Sequence, residues 1–127
     1  MIFADSSYFI AIADKKDQWH ERARELSKKA QAMIATELVL SESVTAVGAR
    51  GGGKAGMALY EYVSDNCQVT FADRGMLSRA METYLMYDGT LSLADALSLV
   101  VMEDYNIKNI LSFDSDFDKV KGMTRVA

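Results

Sequence analysis

The sequence predicts an α/β protein, a three-layer sandwich in which a mostly parallel central sheet of about five strands carries helices on both faces. The main observation is that short apolar runs alternate along the chain with longer stretches of helical spacing. Strands and helices that alternate in this way form right-handed crossovers and a parallel sheet. The chain has 127 residues, 50% of them hydrophobic and 25% charged, so we expect residues 1–127 to form one globular domain.

Five short apolar runs are predicted strands because of their length and, in the middle of the chain, their β-branched or aromatic residues. They cover residues 1–4, 32–35, 67–72, 109–113 and 123–126. The single cysteine, Cys67, begins the third run and cannot form an internal disulfide. We expect it to be a small buried hydrophobic residue in a protein of the reducing cytoplasm.

The stretches between these runs have apolar residues at helical spacing. A short helix is predicted from Ser6 to Ala13, and longer ones over residues 18–31, 37–50, 54–65, 74–87 and 92–105. In the helix over 18–31, the predicted buried stripe consists of Trp19, Ala23, Leu26 and Ala30. Thr36 and Ser92 are good N-caps for the helices that follow them. The glycine run 51–53 is expected to end the helix over 37–50 and to turn the chain into the next helix.

The bulk properties exclude several classes of protein. A net charge of −4 argues against a surface covered with nucleic-acid-binding basic residues, although a local basic patch remains compatible with it. No apolar run approaches the length of a membrane span, and the N-terminus lacks the pattern of a secretion signal. One Cys and one His are too few to form a typical zinc site.

Four acidic residues lie where a folding sequence has little use for a charge: Asp5, Glu42, Asp95 and Asp114. Asp5 and Asp114 end predicted strands, and Asp95 interrupts the most hydrophobic predicted helix. Ligands of parallel sheets bind beyond the carboxyl ends of the strands, and all four residues are predicted at that rim. A lone buried carboxylate costs several kcal/mol, so converging carboxylates need a cation, and oxygen ligands suit Mg²⁺ or Mn²⁺. The pattern therefore predicts a metal-dependent enzyme that acts on phosphate esters.

Each acidic residue also has a local interpretation that needs no metal. Asp5 would cap the short helix after it, and Asp114 would begin a turn. Ser92 and Asp95 fit a capping box, in which the acid bonds the N–H of the cap residue. Glu42 would be an exposed residue beside an apolar stripe. These interpretations compete with the metal site residue by residue, but none of them explains why all four acids fall at one edge.

The ordered set of acidic segments resembles the PIN-domain nucleases, in particular the VapC-type toxins of bacterial and archaeal toxin–antitoxin pairs. The four matching segments are Ile2 to Ser7 (IFADSS), Thr36 to Glu42 (TELVLSE), Leu91 to Ala96 (LSLADA) and Leu111 to Phe117 (LSFDSDF). Their order and spacing agree over essentially the whole chain. Asp17 and His20, ahead of the first long helix, are similar to the family pattern as well.

The resemblance implies that Asp5, Glu42, Asp95 and Asp114 are the acidic catalytic quartet, with Asp116 as a reserve metal ligand. Ser6, Ser7 and Ser112 would orient carboxylates or bound water. One or two Mg²⁺ or Mn²⁺ ions would activate a water for attack on the phosphorus of an RNA phosphodiester. The resemblance also implies a PIN-like fold and a homodimer that is inhibited by a small antitoxin protein. The predicted helices over 18–31 and 54–65 are candidates for the dimer face or for a groove that binds the antitoxin, or alternatively they belong to the core.

Two other classes of protein remain as alternatives. A non-catalytic PIN-like module would bind RNA or a protein partner without turnover. A phosphotransfer receiver or an aspartyl phosphatase would share the acidic α/β pattern. The phosphatase requires Asp-x-Asp after the first strand, whereas this chain has Asp5-Ser6-Ser7. A receiver requires a Lys after a later strand, where this chain has Asp114.

Overall fold

The computed structural model describes residues 1–29 and 31–127. The described residues form five strands, six α-helices and one 3₁₀ helix. The strands are β1 (Ile2–Ala4), β2 (Met33–Thr36), β3 (Cys67–Thr70), β4 (Asn109–Leu111) and β5 (Thr124–Val126). The helices are α1 (Ser6–Ala13), α2 (His20–Ser27), α3 (Glu37–Gly51), α4 (Gly53–Asn66), α5 (Arg74–Met86) and α6 (Leu93–Asp104), and the 3₁₀ helix covers Ser115–Lys119.

The five strands form one sheet in the order β3-β2-β1-β4-β5, and every neighbouring pair is parallel. The predicted fold class is therefore confirmed. β1 lies at the centre, so the residue that follows it is enclosed by the loops after β2 and β4. The carboxyl ends of all strands meet at one rim. Three helices begin at this rim. α3 follows β2 directly, whereas one residue separates α1 from β1 and three residues separate the 3₁₀ helix from β4.

The apolar core lies on and between the central strands. Phe3 on β1, Ile34 on β2 and Ile110 on β4 are completely buried. Helices α1 to α4 form one packed group, whereas α5 packs on α6 around Ala80, Leu97 and other small apolar side chains. β1 is therefore covered on both faces, which fixes the position of the residue at its carboxyl end.

The N-terminal boundary of α2 differs from the prediction. The helix predicted over 18–31 begins at His20, and Trp19 is its N-cap residue with 43% of its surface exposed. The Asp17 carboxylate accepts a hydrogen bond from the Trp19 N–H (2.8 Å), which holds a turn before the helix. Trp19 therefore does not belong to the buried stripe, although Ala23 and Leu26 do. The fourth predicted member, Ala30, lies outside the described residues.

The glycine turn and the cysteine follow the prediction. α3 ends at Gly51, and Gly52 adopts a φ of +90° and a ψ of 171° between α3 and α4. Cys67 is partly buried at the start of β3 and packs against the core, and this burial raises the pKa of its thiol to about 12. Within residues 1–29 and 31–127, no helix is both long and apolar enough to cross a membrane.

Candidate active site

Asp5 is a buried carboxylate at the centre of the carboxyl rim. It follows β1, forms the N-cap of α1 and is 3% exposed. The hydroxyls of Ser7 and Ser112 each donate a hydrogen bond to its Oδ2 atom, both at 2.8 Å. The Asp5 N–H also donates to the carbonyl of Leu111 (3.1 Å), which ties this residue to the end of β4. Asp5 is thus held from both sides of the rim, by α1 and by the segment after β4.

Burial and hydrogen bonding act on the Asp5 carboxyl in opposite directions. Burial disfavours the charged form and raises its pKa above the ordinary value, while the hydroxyls of Ser112 and Ser7 and the N–H groups of α1 favour the charge. The net shift is upward. Burial therefore destabilises the charged form of Asp5, and the local hydrogen bonds offset only part of this cost.

Asp95 lies in the first turn of α6, where it forms a capping box with Ser92. The Ser92 hydroxyl accepts from the Asp95 N–H (3.0 Å), and the Asp95 carboxylate accepts from the Ser92 N–H (3.2 Å). Partial burial, the negative charge of Asp5 and, to a smaller degree, that of Asp114 raise the pKa of Asp95 to about 6. Asp95 is therefore close enough to Asp5 and Asp114 to be repelled by both.

Asp114 caps the 3₁₀ helix beyond β4. Its carboxylate accepts from the Asp116 N–H (2.9 Å), and its own N–H donates to the Ser112 hydroxyl (3.0 Å). Ser112 thus links Asp5 and Asp114 directly. Asp116 is exposed, and its carboxylate lies 3.6 Å from the Lys119 ammonium.

Glu42 approaches the same rim from α3. Although the residue is exposed, its Oε1 atom accepts a hydrogen bond from the hydroxyl of the buried Ser6, the neighbour of Asp5. Asp5, Asp95 and Asp114 therefore each accept the capping hydrogen bond that the local interpretation predicts. Glu42 instead accepts from the hydroxyl of Ser6, beside Asp5. Three of the four also interact electrostatically. The two interpretations are compatible, because helix caps bring the carboxylates to the rim.

The donor set suits a hard divalent cation, but the carboxylates are not yet arranged around one position. Among the residues that the structure describes, no three His, Cys, Asp or Glu side chains stand close enough to hold one ion. Asp5 and Asp95 instead face serine hydroxyls and backbone N–H groups. Carboxylate oxygens are the ligands that Mg²⁺ and Mn²⁺ prefer, and a cation would relieve the repulsion that raises the pKa of Asp95. The hydrogen bonds from Ser7 and Ser112 all use the Oδ2 atom of Asp5, so they can persist while the other carboxylates move closer to form the site.

Two features of the rim were missed in the sequence. The indole of Trp19 is stacked on the ring of Phe113, with ring centroids 5.2 Å apart and planes inclined by 3°. Arg125 on β5 donates to both carboxylate oxygens of Asp118 (2.9 and 3.0 Å) and to the carbonyl of Ser112 (3.2 Å). Trp19 and Phe113 are far apart in the chain, and a turn separates Asp118 from Arg125. No sequence pattern indicates either contact.

A parallel α/β sheet with carboxylates gathered at its carboxyl rim is an arrangement suited to metal-dependent enzymes that act on phosphate esters. The comparison with known families identifies which class of these enzymes the chain belongs to. The PIN-domain family model matches residues 2–123. This chain therefore belongs to the PIN-domain family, which is a family of nucleases.

The relatives narrow the class to the VapC type. The chain is 30% identical over 120 residues to the 23S rRNA-specific endonuclease VapC20 of Mycobacterium tuberculosis, covering 92% of each sequence. The crystal structure of VapC20, described as a sarcin-ricin loop cleaving toxin, matches with a TM-score of 0.89 at 27% identity over 97% of each chain. The structure of VapBC2 from Rickettsia felis bound to a promoter DNA fragment matches in fold, with a TM-score of 0.71 at 12% identity over 99% of this chain and 98% of that one. The predicted class, a VapC-type PIN-domain nuclease, is confirmed.

Proposed function

We propose that this protein is a single-domain, Mg²⁺- or Mn²⁺-dependent endoribonuclease and the toxin of a type II toxin–antitoxin pair in the cytoplasm. The observation that carries the proposal is the gathering of acids at the carboxyl rim, where Ser112 is hydrogen-bonded to both Asp5 and Asp114 and where both of these acids repel Asp95. Like charges gathered at one place destabilise the metal-free protein, and a bound cation would offset this cost, which the capping roles of the acids do not explain. The similarity to an rRNA-specific endonuclease and to a sarcin-ricin loop cleaving toxin supports RNA as the substrate.

In this proposal, Asp5, Asp95 and Asp114 bind the ion, and Glu42 completes the acidic quartet. A divalent ion held by these residues would supply an activated water and would offset the charge of the phosphate. Ser7 and Ser112 fix the Asp5 carboxylate, and Ser6 holds Glu42 beside it. Asp116, which is exposed and pairs with Lys119, remains the reserve ligand. Hydrolysis then proceeds without a covalent intermediate on a side chain.

The test compares Asp5→Asn and Asp95→Asn with the wild type, using an RNA oligonucleotide that contains a sarcin-ricin loop. We expect Mn²⁺- and Mg²⁺-dependent cleavage by the wild type and none by either variant. Asp65→Asn, an exposed acid at the end of α4, is the matched control and should cleave normally. Titration of Mn²⁺ by thermal shift gives a second readout, since loss of a ligand should abolish the stabilisation by the ion.

The possible outcomes separate the alternatives. Unchanged cleavage in either variant contradicts the assigned mechanism. RNA binding by the wild type without any cleavage indicates the non-catalytic PIN-like module instead. Unfolding of both variants means that the capping roles of Asp5 and Asp95 outweigh the repulsion between their charges.

The proposed protein partners are a second copy of the chain and a small antitoxin. Exposed apolar side chains lie on α4 (Met57 and Tyr60) and on α5 (Leu77, Met81, Leu85 and Met86). Leu85 and Met86 are 76% and 72% exposed. A group of exposed large apolar side chains on one helix is typical of a surface that binds a protein partner. Leu85→Glu should shift the protein towards the monomer in light scattering if α5 forms the dimer contact. An unchanged mass would assign the contact to another face.

A further inference from the structure

The Trp19–Phe113 stack forms an aromatic surface beside the acidic rim. The two rings are almost parallel, and 43% of the Trp19 surface remains exposed. Phe113 is itself only partly buried, so the stack lies at the surface and not in the core. The ring of Trp19 therefore has a fixed orientation and is still accessible to a ligand.

Short hydrogen bonds connect this stack to Asp5. The N–H of Phe113 donates to the Ser7 hydroxyl (2.9 Å), and the same hydroxyl donates to Asp5 (2.8 Å). Phe113 also lies between Ser112 and Asp114 in the chain, both of which belong to the acidic site. On the other side, Asp17 fixes the backbone of Trp19 through its N–H. The aromatic surface consequently has a defined position relative to the carboxylates.

An exposed indole held in one orientation is suited to stack on a nucleic acid base. Base–aromatic stacking does not depend on base identity, because every base has a π-face, and a fixed ring loses little conformational entropy on binding. Bases inside a duplex are already stacked on their neighbours, so only an unpaired base is available. The purely structural alternative is that Trp19 merely covers Phe113 from water.

We propose that Trp19 is a substrate-positioning residue, on which an unpaired base of the RNA next to the cleaved phosphodiester stacks. This inference rests on the proposed ribonuclease function and deepens it. It specifies that the substrate presents a single-stranded or looped base at the cleavage site, and that Trp19 with Phe113 positions the backbone against the carboxylates.

The first experiment uses the fluorescence of Trp19, which is the only tryptophan in the chain. The probes are an RNA hairpin with an unpaired loop and a fully paired duplex of the same length, added to the Asp5→Asn variant so that no cleavage occurs. We expect saturable quenching by the hairpin, and much less by the duplex. A hairpin with an abasic site at the stacked position should bind without quenching. Equal signals from all three RNAs would overturn the inference.

The second experiment measures cleavage kinetics. Trp19→Ala should raise KM by about 5- to 150-fold, the range of one base–aromatic stack, with a smaller change in kcat. Trp19→Phe keeps a π-face and should retain most of the affinity. Trp19→Leu still covers Phe113, so a KM like that of the wild type in this variant would support the structural role and contradict ours. Urea unfolding of each variant identifies any loss of fold.

Tyr105→Ala is the matched control. Tyr105 is 44% exposed and caps the end of α6 that lies far from Asp95, at the opposite edge of the sheet. Its removal should leave KM unchanged. If the wild type cleaves no RNA at all, the ribonuclease proposal fails, whereas quenching still tests the stacking on Trp19. If the wild type cleaves but Trp19→Ala has an unaltered KM, the stacking inference alone fails.

Discussion

At the scale of single residues, three serine hydroxyls make the acidic rim possible. Ser7 and Ser112 are separated by more than a hundred positions, yet both donate to the same oxygen of Asp5, while Ser6 donates to Glu42. A buried carboxylate without such donors would be protonated or would unfold the rim. Ser112 has a second function, because its hydroxyl accepts the N–H of Asp114. The hydroxyls therefore arrange the acids as well as stabilising them.

Ser112→Ala should reveal this role. The substitution removes a donor to a fully buried carboxylate and leaves the Asp114 N–H without its acceptor, so we expect a loss of about 1–3 kcal/mol in the free energy of unfolding. Urea unfolding in chelator measures the loss. The exposed neighbour Ser115→Ala should change stability by less than about 0.5 kcal/mol. Equal effects at the two positions would show that the hydroxyl contacts contribute little.

The sequence was sufficient to predict which acidic residues lie at the ends of strands and helices, but not all the contacts of their side chains. Asp5, Asp95 and Asp114 end strands or begin helices, and such local signals are visible in a short segment. The 3₁₀ helix brings the Asp116 carboxylate to within 3.6 Å of the Lys119 ammonium, a contact that the sequence did not indicate. The stack of Trp19 on Phe113 joins residues 94 positions apart, and no basic or aromatic pattern in the sequence marks it as a binding surface.

At the scale of elements, local capping chemistry explains why most helix starts were predictable. Thr36 and Ser92 cap α3 and α6 through side-chain acceptors, as their types indicate. The predicted start of α2 was wrong because it rested on helical spacing alone, which assigned Trp19 to the buried stripe. The Asp17 turn instead places this residue ahead of the first helical turn. A periodic pattern locates a helix but does not define its first residue.

The turn between α3 and α4 provides a matched pair of glycine substitutions. Gly52 adopts a φ of +90° and a ψ of 171°, a conformation almost restricted to glycine, although a Cβ there would meet no atom within 4 Å. Gly52→Ala should therefore cost about 1–3 kcal/mol through backbone strain alone. Gly53 has equal space but begins α4, so Gly53→Ala should stabilise the protein by about 0.4–1 kcal/mol. Thermal unfolding of both variants measures the contrast, and equal signs would contradict it.

At the scale of the whole molecule, the fold directs its least favourable charges to one edge. The parallel strand order brings the carboxyl ends of β1 and β4 together, and the first turn of α6 adds Asp95 to the same rim. Repulsion there lowers the stability of the metal-free protein, while the ion pairs elsewhere, such as Arg22 with Glu25, lie on exposed helix surfaces and contribute little. The molecule therefore gives up stability at the rim where its proposed chemistry takes place.

This distribution of charge predicts how stability depends on pH in the absence of divalent ions. Folding raises the pKa of Asp5, and it raises that of Asp95 from 3.8 to about 6. Between about pH 4 and pH 7 the folded state consequently binds more protons than the unfolded state, so the free energy of unfolding should fall as the pH rises through this window. The carboxyls with lowered pKa, Asp14 and Asp118, act in the opposite direction, but only at lower pH, where they become protonated.

Urea unfolding in chelator from pH 4.5 to 7.5 should therefore show a decrease of about 1–2 kcal/mol, allowing for the partial exposure of Asp95. Asp95→Asn should make the profile less steep and stabilise the protein at pH 7.5, whereas the exposed control Asp65→Asn should leave the slope unchanged. Millimolar Mn²⁺ should restore stability at pH 7.5 and have little effect at pH 4.5, because protonated carboxyls bind the cation poorly. A profile that rises from pH 4.5 to 7.5 in chelator would mean that the carboxylates at the rim do not repel one another, and the electrostatic basis for a cation site would be lost.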